Sequence, residues 1–176
     1  MRKILSAAIV TLVSFLALSL PGFASEIPQA LQGVMNLRHP SNTLYVSGQP
    51  KPEAFAAFAK AGVKAVINLR PPQETPGFDE AEIVAKAGMA YYNIPIRGAV
   101  DLTRDNVQKL DTLLGKIGNE PVLIHCSSSN RVGALMALRA AWVQKASVEE
   151  ALKTGERYGV GQLLPDVKRL LEQEPR

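Results

Sequence analysis

Cysteine and histidine are almost absent from this chain of 176 residues, which contains one Cys and two His. A lone cysteine, Cys126, excludes an internal disulfide. Zinc sites use three or four ligands, mostly Cys and His, so Cys126 with His39 and His125 does not predict one. We expect no metal and no cofactor. An isolated cysteine is most often a small buried side chain, so a reactive thiol needs further support.

A large excess of charge of one sign is also missing. The chain carries 20 Lys and Arg against 16 Asp and Glu, which gives a net charge of +4. That excess is too small to predict binding to nucleic acid or to a membrane surface. Attraction for anions must therefore come from the local placement of basic residues.

The amino terminus has the order of a secretory signal peptide. Residues 1–3 end in two basic side chains, residues 4–20 carry no charge, and Pro21 breaks the apolar run. Small residues at 22 and 24 follow, where cleavage is expected. The alternative is an uncleaved membrane anchor, since the apolar run is near the lower length limit for spanning a bilayer. We predict removal of residues 1–24 and a periplasmic or secreted domain of residues 25–176.

Export would affect how the net charge and the single cysteine are interpreted. Removal of residues 1–24 takes Arg2 and Lys3 and no acid, so basic residues fall from 20 to 18 against 16 acidic ones. The mature net charge is then +2, and no membrane partner is expected after cleavage. Exported domains normally pair their cysteines, so the unpaired Cys126 suggests a free thiol with a function.

Segments typical of strands and helices alternate along the chain, without repeats, low-complexity tracts or linkers. Residues 25–41 show no clear period. Strands are predicted over residues 44–46, 63–69, 91–96 and 121–125. Helices are predicted over residues 52–62, 79–87, 103–118 and 131–143, with two more that start at 147 and 165. The alternation predicts an α/β fold, a single domain with a central, mostly parallel sheet flanked by helices.

The passage over residues 121–137 carries the strongest functional signal. A buried strand stops at His125, a small polar loop follows, and a helix begins near Arg131. Ligands bind at the carboxyl ends of strands in open parallel sheets, and a loop that enters a helix presents unpaired N–H groups to an anion. That field favours a thiolate at Cys126. The alternative is an ordinary turn of serines between a strand and a helix.

We therefore predict Cys126 as a nucleophile and Arg131 as its anion clamp, because a guanidinium can hold two oxygens of a tetrahedral anion. The residues predicted to bind phosphate are Ser127, Ser128, Ser129, Asn130 and Arg131. His125 is not predicted to be the base, since adjacent strand residues point to opposite faces. We expect a hydrogen bond from His125 to support the loop, and a Cys–His protease dyad is disfavoured.

The motif HCSSSNRVG resembles the signature of the protein tyrosine and dual-specificity phosphatase superfamily. It is most similar to the bacterial branch known as the beta-lactamase hydrolase-like protein, phosphatase-like domain. LYVSGQP (44–50), VINLRPP (66–72) and YYNIPI (91–96) fit this branch, so the resemblance covers about residues 30–145. It implies a cysteine-phosphatase-like fold and a phosphocysteine intermediate on Cys126. Arg131 and the loop amides would hold the phosphate.

Three departures from the superfamily pattern bear on this resemblance. Four residues separate Cys126 from Arg131, where the main superfamily has five and the rhodanese sulfurtransferases have four. Ser128 or Ser129 replaces a loop glycine that is common in the family, which places a Cβ where free φ is convenient. Val132 replaces the hydroxyl residue that usually follows the arginine and helps hydrolyse the intermediate.

The resemblance also implies a general acid, an aspartate upstream of the helix that precedes the cysteine strand. Asp101 is the nearest candidate, and the alternative is an acid favoured at a helix N-terminus. Asp105 fits that alternative better, and Asp105 or Glu74 would be examined next. Arg70 and Arg97 follow strands that should run parallel to residues 121–125. They are predicted at the rim of the anion pocket, or are ordinary surface arginines.

Three functions remain open. The first is an exported phosphatase that hydrolyses phosphomonoesters of a protein or small molecule. The second is a rhodanese-like sulfurtransferase with a persulfide on Cys126, which the four-residue loop suggests. The third is a phospho-ligand binding module without turnover, which Val132 and the uncertain acid suggest.

Overall fold

The computed structural model describes residues 27–74 and 77–173, and within them five short strands form one sheet. The strands are β1 Arg38–Ser41, β2 Leu44–Ser47, β3 Ala65–Asn68, β4 Ala90–Asn93 and β5 Val122–His125. Their order across the sheet is β1-β2-β5-β3-β4. All neighbours pair in parallel except β1, which pairs antiparallel with β2. The predicted α/β fold with a mostly parallel sheet is confirmed.

The four parallel strands end in register. Ser47 pairs with His125, His125 with Asn68, and Asn68 with Asn93. Their carboxyl ends therefore form one edge, which is where a site in an open α/β sheet is expected. β5 lies in the interior of the sheet, so the segment that follows it starts at the middle of this edge.

In the part of the chain that the structure describes, six α-helices cover the sheet. They are α1 Pro52–Lys60, α2 Glu80–Lys86, α3 Arg104–Ile117, α4 Asn130–Trp142, α5 Val148–Arg157 and α6 Leu164–Glu172. The predicted starts are confirmed by their caps: Asp79 and Thr103 accept N–H bonds from α2 and α3, and Ser147 forms a capping box with Glu150. Such caps satisfy amide donors that the helix itself leaves unpaired.

The core has two layers, one on each face of the sheet. One layer packs α1 and α2 through Phe55, Phe58 and Val84 against Leu123 of β5. The other packs α3 to α6 against Ile124, and α4 is its most buried helix, with ten buried residues. At Gly133 a Cβ would lie 2.1 Å from the backbone nitrogen of Val160. Only glycine therefore permits this approach of α4 to the segment after α5.

One sequence expectation was wrong. Residues 25–41 showed no clear period, yet Arg38–Ser41 forms the edge strand β1, whose register with β2 is irregular. Its sequence, RHPS, contains a proline and no run of β-branched residues, so it lacks the usual strand signal. The predicted signal peptide, residues 1–24, lies outside the described residues. Within the described part of the chain, no helix combines the length and apolar character needed to cross a membrane.

Candidate functional site

The loop that leaves β5 is fixed by backbone contacts from the end of β2. The Cys126 N–H faces the Ser47 carbonyl oxygen at 3.4 Å, and the Gln49 N–H donates to the Ser127 carbonyl at 3.1 Å. Asn36 donates from its amide to the Ser128 carbonyl at 3.0 Å. A Cβ on the intervening Gly48 would lie 2.8 Å from the Ser127 carbonyl oxygen. A glycine between β2 and the loop is therefore needed for this close approach.

The second half of the loop turns into α4, and its side chains are directed toward the segment after α5. Ser129 has φ +72°, in the left-handed region, and its Oγ donates to the Tyr158 carbonyl at 2.9 Å. The Asn130 Oδ1 accepts from the N–H groups of Gly161 and Leu163 at 2.8 and 3.2 Å. These two side chains secure the loop to the segment after α5. Anion ligands from this half are then the N–H groups at the start of α4, which lack helical partners.

Of the two serines that could replace the family's loop glycine, Ser129 has the backbone conformation that glycine adopts most easily. A non-glycine residue at positive φ is uncommon and costs about 1–2 kcal/mol. The buried hydroxyl of Ser129 offsets part of this cost through its bond to Tyr158.

Arg131 lies at the centre of the site and is only 7% exposed. Nη1 donates to the Ile96 carbonyl at 2.7 Å, and Nη2 donates to the Ser127 Oγ at 2.8 Å. Burial would lower the Arg131 pKa, but the hydrogen bonds that Arg131 donates to Glu74 and its electrostatic interaction with Cys126 outweigh burial and raise the pKa. The bond to Ser127 places the guanidinium beside the residue that follows Cys126. The predicted nucleophile and anion clamp are therefore brought together.

Glu74 forms a bidentate pair with the two Nη atoms of Arg131. Its Oε1 and Oε2 accept from Nη1 and Nη2 at 2.8 and 2.7 Å. Together with Ile96 and Ser127, these bonds account for the four Nη hydrogens, and the fifth guanidinium hydrogen is on Nε. The hydrogen bonds from Arg131 hold the pKa of Glu74 below its ordinary value, against the burial that would raise it. Glu74 thus acts as an ionised clamp that orients the arginine.

Asp101 is held by Arg97. Its carboxylate accepts from the Arg97 backbone N–H at 2.7 Å and from Nε and Nη2 at 2.9 Å each. These hydrogen bonds, first that of the side chain and then that of the backbone, lower the pKa of Asp101 to about 2. The peptide between Ile96 and Arg97 therefore accepts from Arg131 at its oxygen and donates to Asp101 at its nitrogen.

That shared peptide places the predicted acid one peptide unit from the anion clamp. Asp101 is nevertheless ionised in this arrangement, so it needs to leave Arg97 before it can carry a proton. Asp105 lies apart from these contacts, on α3, where its exposed carboxylate pairs with Lys109 at 2.6 Å.

His125 is fully buried on the opposite face of the sheet from Ile124, with its ring 6.3 Å from that of Phe55. Its Nε2 lies 2.8 Å from the Glu80 Oε1, and its Nδ1 lies 3.4 Å from the Cys126 carbonyl oxygen. Both ring nitrogens therefore face oxygen acceptors. The imidazole contacts the loop backbone, as expected of a supporting residue, and its role stays a prediction.

The two rim arginines are both at the predicted edge, and both are paired with carboxylates. Arg70 is 14% exposed on its side chain and donates to Glu74 through Nε at 3.3 Å and to the Gln49 Oε1. Arg97 is 70% exposed and bound to Asp101. The contribution of these two arginines to an anion pocket stays a prediction.

An open cleft of about 640 Å³ adjoins the site at the carboxyl ends of β3 and β4. Arg70, Glu74 and Glu80 form its polar wall, and Phe78 and Tyr91 add aromatic surface. Within residues 27–74 and 77–173, no cluster of three or more His, Cys, Asp or Glu is arranged to hold a metal ion.

Sequence reasoning missed three side chains that the structure brings to the site. Glu74 was considered only as a reserve acid, and Gln49 and Glu80 were not considered as site residues. Gln49 stands in the string LYVSGQP, and Glu74 follows the string VINLRPP, so their proximity to family motifs was the available signal. Their partners are far away in sequence, which no local pattern reveals.

The fold and the Cys–loop–Arg site define a class, that of phosphatases with a protein-tyrosine-phosphatase-like fold. A solved DUF442 protein from Shewanella putrefaciens CN-32 superposes with a TM-score of 0.62 at 25% identity. The match covers 82% of this chain and 93% of that one.

Residues 36–143 match the family described as beta-lactamase hydrolase-like protein, phosphatase-like domain. The chain belongs to this family, and the suspected resemblance is confirmed. A beta-lactamase hydrolase-like protein of Xylella fastidiosa is 32% identical over 139 residues, 76% of this chain and 32% of its own length. An inositol diphosphatase, DSP3, of Arabidopsis thaliana is 31% identical over 62% of this chain and 57% of its own length. This chain thus spans about a third of the Xylella relative.

Proposed function

We propose that this protein is a cysteine-dependent phosphatase that hydrolyses phosphomonoesters through a phosphocysteine intermediate on Cys126. The observation that carries the proposal is the position of Arg131 at the start of α4, where Glu74 fixes its guanidinium and Ser127, the residue after Cys126, accepts one of its hydrogen bonds. In this mechanism the loop amides, the amino terminus of α4 and the guanidinium would together bind the three oxygens of a phosphoryl group. Family membership supports the same chemistry.

In the first step, the Cys126 sulfur attacks phosphorus, so an S–P bond forms and the P–O bond to the leaving group breaks. The equatorial oxygens gain charge in the transition state, and Arg131 with the N–H groups at the start of α4 stabilises them. Because Glu74 and the Ile96 carbonyl already orient the guanidinium, little reorganisation is needed during the reaction.

The leaving oxygen takes a proton, for which Asp101 is the proposed donor. In the free protein Asp101 is ionised by Arg97. The exposed Arg97 side chain can turn into solvent, and a phosphoryl dianion nearby then favours the protonated carboxyl. In the second step, water attacks the phosphocysteine, its proton passes to the Asp101 carboxylate, and phosphate and the Cys126 thiolate are released.

The second step has less assistance than in the wider superfamily, since Val132 is a buried apolar residue where a hydroxyl usually stands. If breakdown of the intermediate limits the rate, Val132→Ser speeds steady-state turnover without changing the initial burst. A burst experiment with p-nitrophenyl phosphate measures both quantities in one trace.

The substrate is proposed as a phosphorylated protein side chain or a small phosphoester. The Arabidopsis relative is named for an inositol diphosphate substrate, which keeps small polyanions among the candidates. A panel of phosphotyrosine and phosphoserine peptides, a nucleotide and an inositol phosphate, compared by kcat/KM, selects among them.

The deciding experiment uses residues 25–176 with p-nitrophenyl phosphate and, separately, with thiosulfate and cyanide. Phosphate release that disappears in Cys126→Ser, while inorganic phosphate still raises the midpoint of thermal unfolding, supports the mechanism. Thiocyanate formation instead would indicate the sulfurtransferase that the four-residue loop suggests. Phosphate binding without either turnover would indicate a binding module. Full phosphatase activity in Cys126→Ser would refute the thiol nucleophile.

We further propose that the protein is exported, on the basis of the signal-like order of residues 1–24. Fractionation of producing cells and determination of the mature amino terminus test it. A chain that retains its initiator segment and stays with the cytosol would contradict export, whatever its activity.

A further inference from the structure

A continuous chain of side-chain hydrogen bonds joins the two ends of the phosphate loop. It runs through Arg131, Glu74, Arg70, Gln49, Glu80 and His125. The His125 ring then faces the carbonyl of Cys126, and Arg131 donates to the Oγ of Ser127. The network therefore closes on two adjacent residues of the loop, Cys126 and Ser127, and it connects elements that are far apart in sequence.

Gln49 is the one member of this network that cannot ionise. Its Oε1 accepts from the Arg70 guanidinium, and its Nε2 donates to the Glu80 Oε2 at 2.6 Å. A cation on one side and an acid on the other give the amide a single favourable orientation. A carboxylate here would suit Arg70 and repel Glu80, whereas an ammonium would do the reverse. Only a group with one donor end and one acceptor end serves both.

The backbone of Gln49 contacts the loop directly. Its N–H donates to the Ser127 carbonyl, one residue after Cys126. Gly48, just before it, has no room for a Cβ beside that same carbonyl. Residue 49 thus contacts the loop through its main chain, while its side chain bonds Arg70, which pairs with Glu74, and also bonds Glu80, which faces His125.

We propose that Gln49 is a positioning residue that couples the orientation of Arg131 to that of the loop base at Cys126. Through Arg70 it fixes Glu74, which sets the Arg131 guanidinium, and through Glu80 it fixes His125. The inference rests on the proposed phosphatase function for its activity readout only.

The charged groups around Gln49 allow a pH-dependent test. Arg70 faces it from the segment after β3, and Glu80 faces it from α2. Lys51 and Glu53, near the start of α1, line a small cleft with Gln49 and are exposed, so solvent screens their charges. Glu80, with its side chain 4% exposed, is the neighbour that an introduced carboxylate would oppose most strongly.

The first variant is Gln49→Glu. At neutral pH its carboxylate would face Glu80, and kcat/KM for p-nitrophenyl phosphate should fall. In acid the two carboxyls share a proton, so an O–H again donates to Glu80 and a C=O again accepts from Arg70. The loss relative to the control should therefore shrink as pH falls, by up to about tenfold per pH unit above the pKa of the shared proton. The matched control is Gln108→Glu, at an exposed position on α3.

Two further variants separate positioning from general damage. Gln49→Leu removes both ends of the amide and should lose activity without recovery in acid. The exchange Gln49→Glu with Glu80→Gln restores one acid and one amide in reversed order, so it should recover at least about tenfold of the activity lost at pH 8 in Gln49→Glu. If Gln49→Glu does not fold at any pH, a folded and active exchange variant supports the proposal.

Three results would overturn the coupling. One is a Gln49→Glu profile that runs parallel to that of Gln108→Glu from pH 5 to pH 8. Another is an exchange variant no more active than Gln49→Glu. The third is an exchange variant that fails to fold although Glu80→Gln folds. If the wild-type protein itself lacks phosphatase activity, the proposed function fails. The coupling is then judged from the rise in thermal midpoint that inorganic phosphate causes in each variant, with the same expected pH pattern.

Discussion

Two arginine–carboxylate pairs lie side by side at the carboxyl edge of the sheet, and they differ in where the arginine is placed. Both make two side-chain bonds of 2.7–2.9 Å, Arg131 to Glu74 and Arg97 to Asp101. The Arg131 side chain is 8% exposed, whereas that of Arg97 is 70% exposed. One peptide, between Ile96 and Arg97, touches both pairs.

The difference in burial gives the two pairs different properties. If the buried Arg131 left Glu74, Ile96 and Ser127, it would leave several polar groups unpaired, which is costly. If Arg97 turned away, water would replace its bonds at little cost, as for most exposed ion pairs. The Arg131–Glu74 pair is thus fixed, whereas the Arg97–Asp101 pair can exchange with water.

For hydrolysis of p-nitrophenyl phosphate, the largest expected effect is that of Arg131→Lys. An ammonium keeps the charge but cannot reproduce the planar fork that contacts Glu74, Ile96 and Ser127 at once. We expect kcat/KM for p-nitrophenyl phosphate to fall by about 10²–10³-fold. Arg169→Lys, at an exposed pair on α6, is the control and should retain the wild-type rate. A retained rate in Arg131→Lys would remove the distinction between the two pairs.

Glu74→Gln tests whether the partner orients the buried arginine. The amide keeps one acceptor but turns an NH₂ group toward the guanidinium, so Arg131 shifts while the anion site keeps its charge. We expect a loss of up to about 10²-fold, mainly in kcat, because small misplacements have effects of this size. A change confined to KM would show that Glu74 affects binding rather than orientation.

Acid should affect both pairs with the same sign. The folded pKa of Asp101, about 2, lies below its ordinary 3.8, and that of Glu74 is also lowered. Such groups stabilise the fold above their unfolded pKa values, and the contribution is lost as pH falls through the folded ones. Urea unfolding from pH 6 to pH 2 should therefore show a shallower loss in Asp101→Asn and in Glu74→Gln than in the wild type.

In the same urea experiment, added salt should distinguish the contributions that the two ion pairs make to the free energy of unfolding. The Asp101 contribution should be at most about 1 kcal/mol, since Arg97 is exposed, and 1 M NaCl should largely remove it. The contribution of Glu74 should persist in salt because Arg131 is buried. Equal sensitivity to salt would contradict the distinction.

Arg97→Lys should have the smallest effect. A lysine can still pair with Asp101 from solvent, so kcat/KM should stay within about twofold of the wild type.

Asp101→Asn, by contrast, should slow substrates with poor leaving groups by about 10²–10⁴-fold and p-nitrophenyl phosphate much less. Equal losses on both kinds of substrate would remove Asp101 from the acid role and direct attention to Glu74.

Much of the fold could be predicted because its signals are local. Asp79, Thr103 and Ser147 cap helices within three residues of themselves, and β-branched runs mark β3 and β5. The edge strand β1 could not be predicted in this way. Its four residues form a strand because β2 offers them hydrogen-bond partners, and no feature within RHPS reveals that partner.

Sequence alone determined that this chain has an α/β fold with a cysteine and an arginine, separated by four residues, at a strand-to-helix turn, because strand, loop and helix signals there are contiguous. Only the tertiary structure decided which acidic side chain pairs with which basic one. Glu74 lies 57 residues from Arg131, and Glu80 lies 45 from His125. Such pairs depend on how the parallel strands align their carboxyl ends and on which side chains are shielded from water, and neither property is written in local sequence.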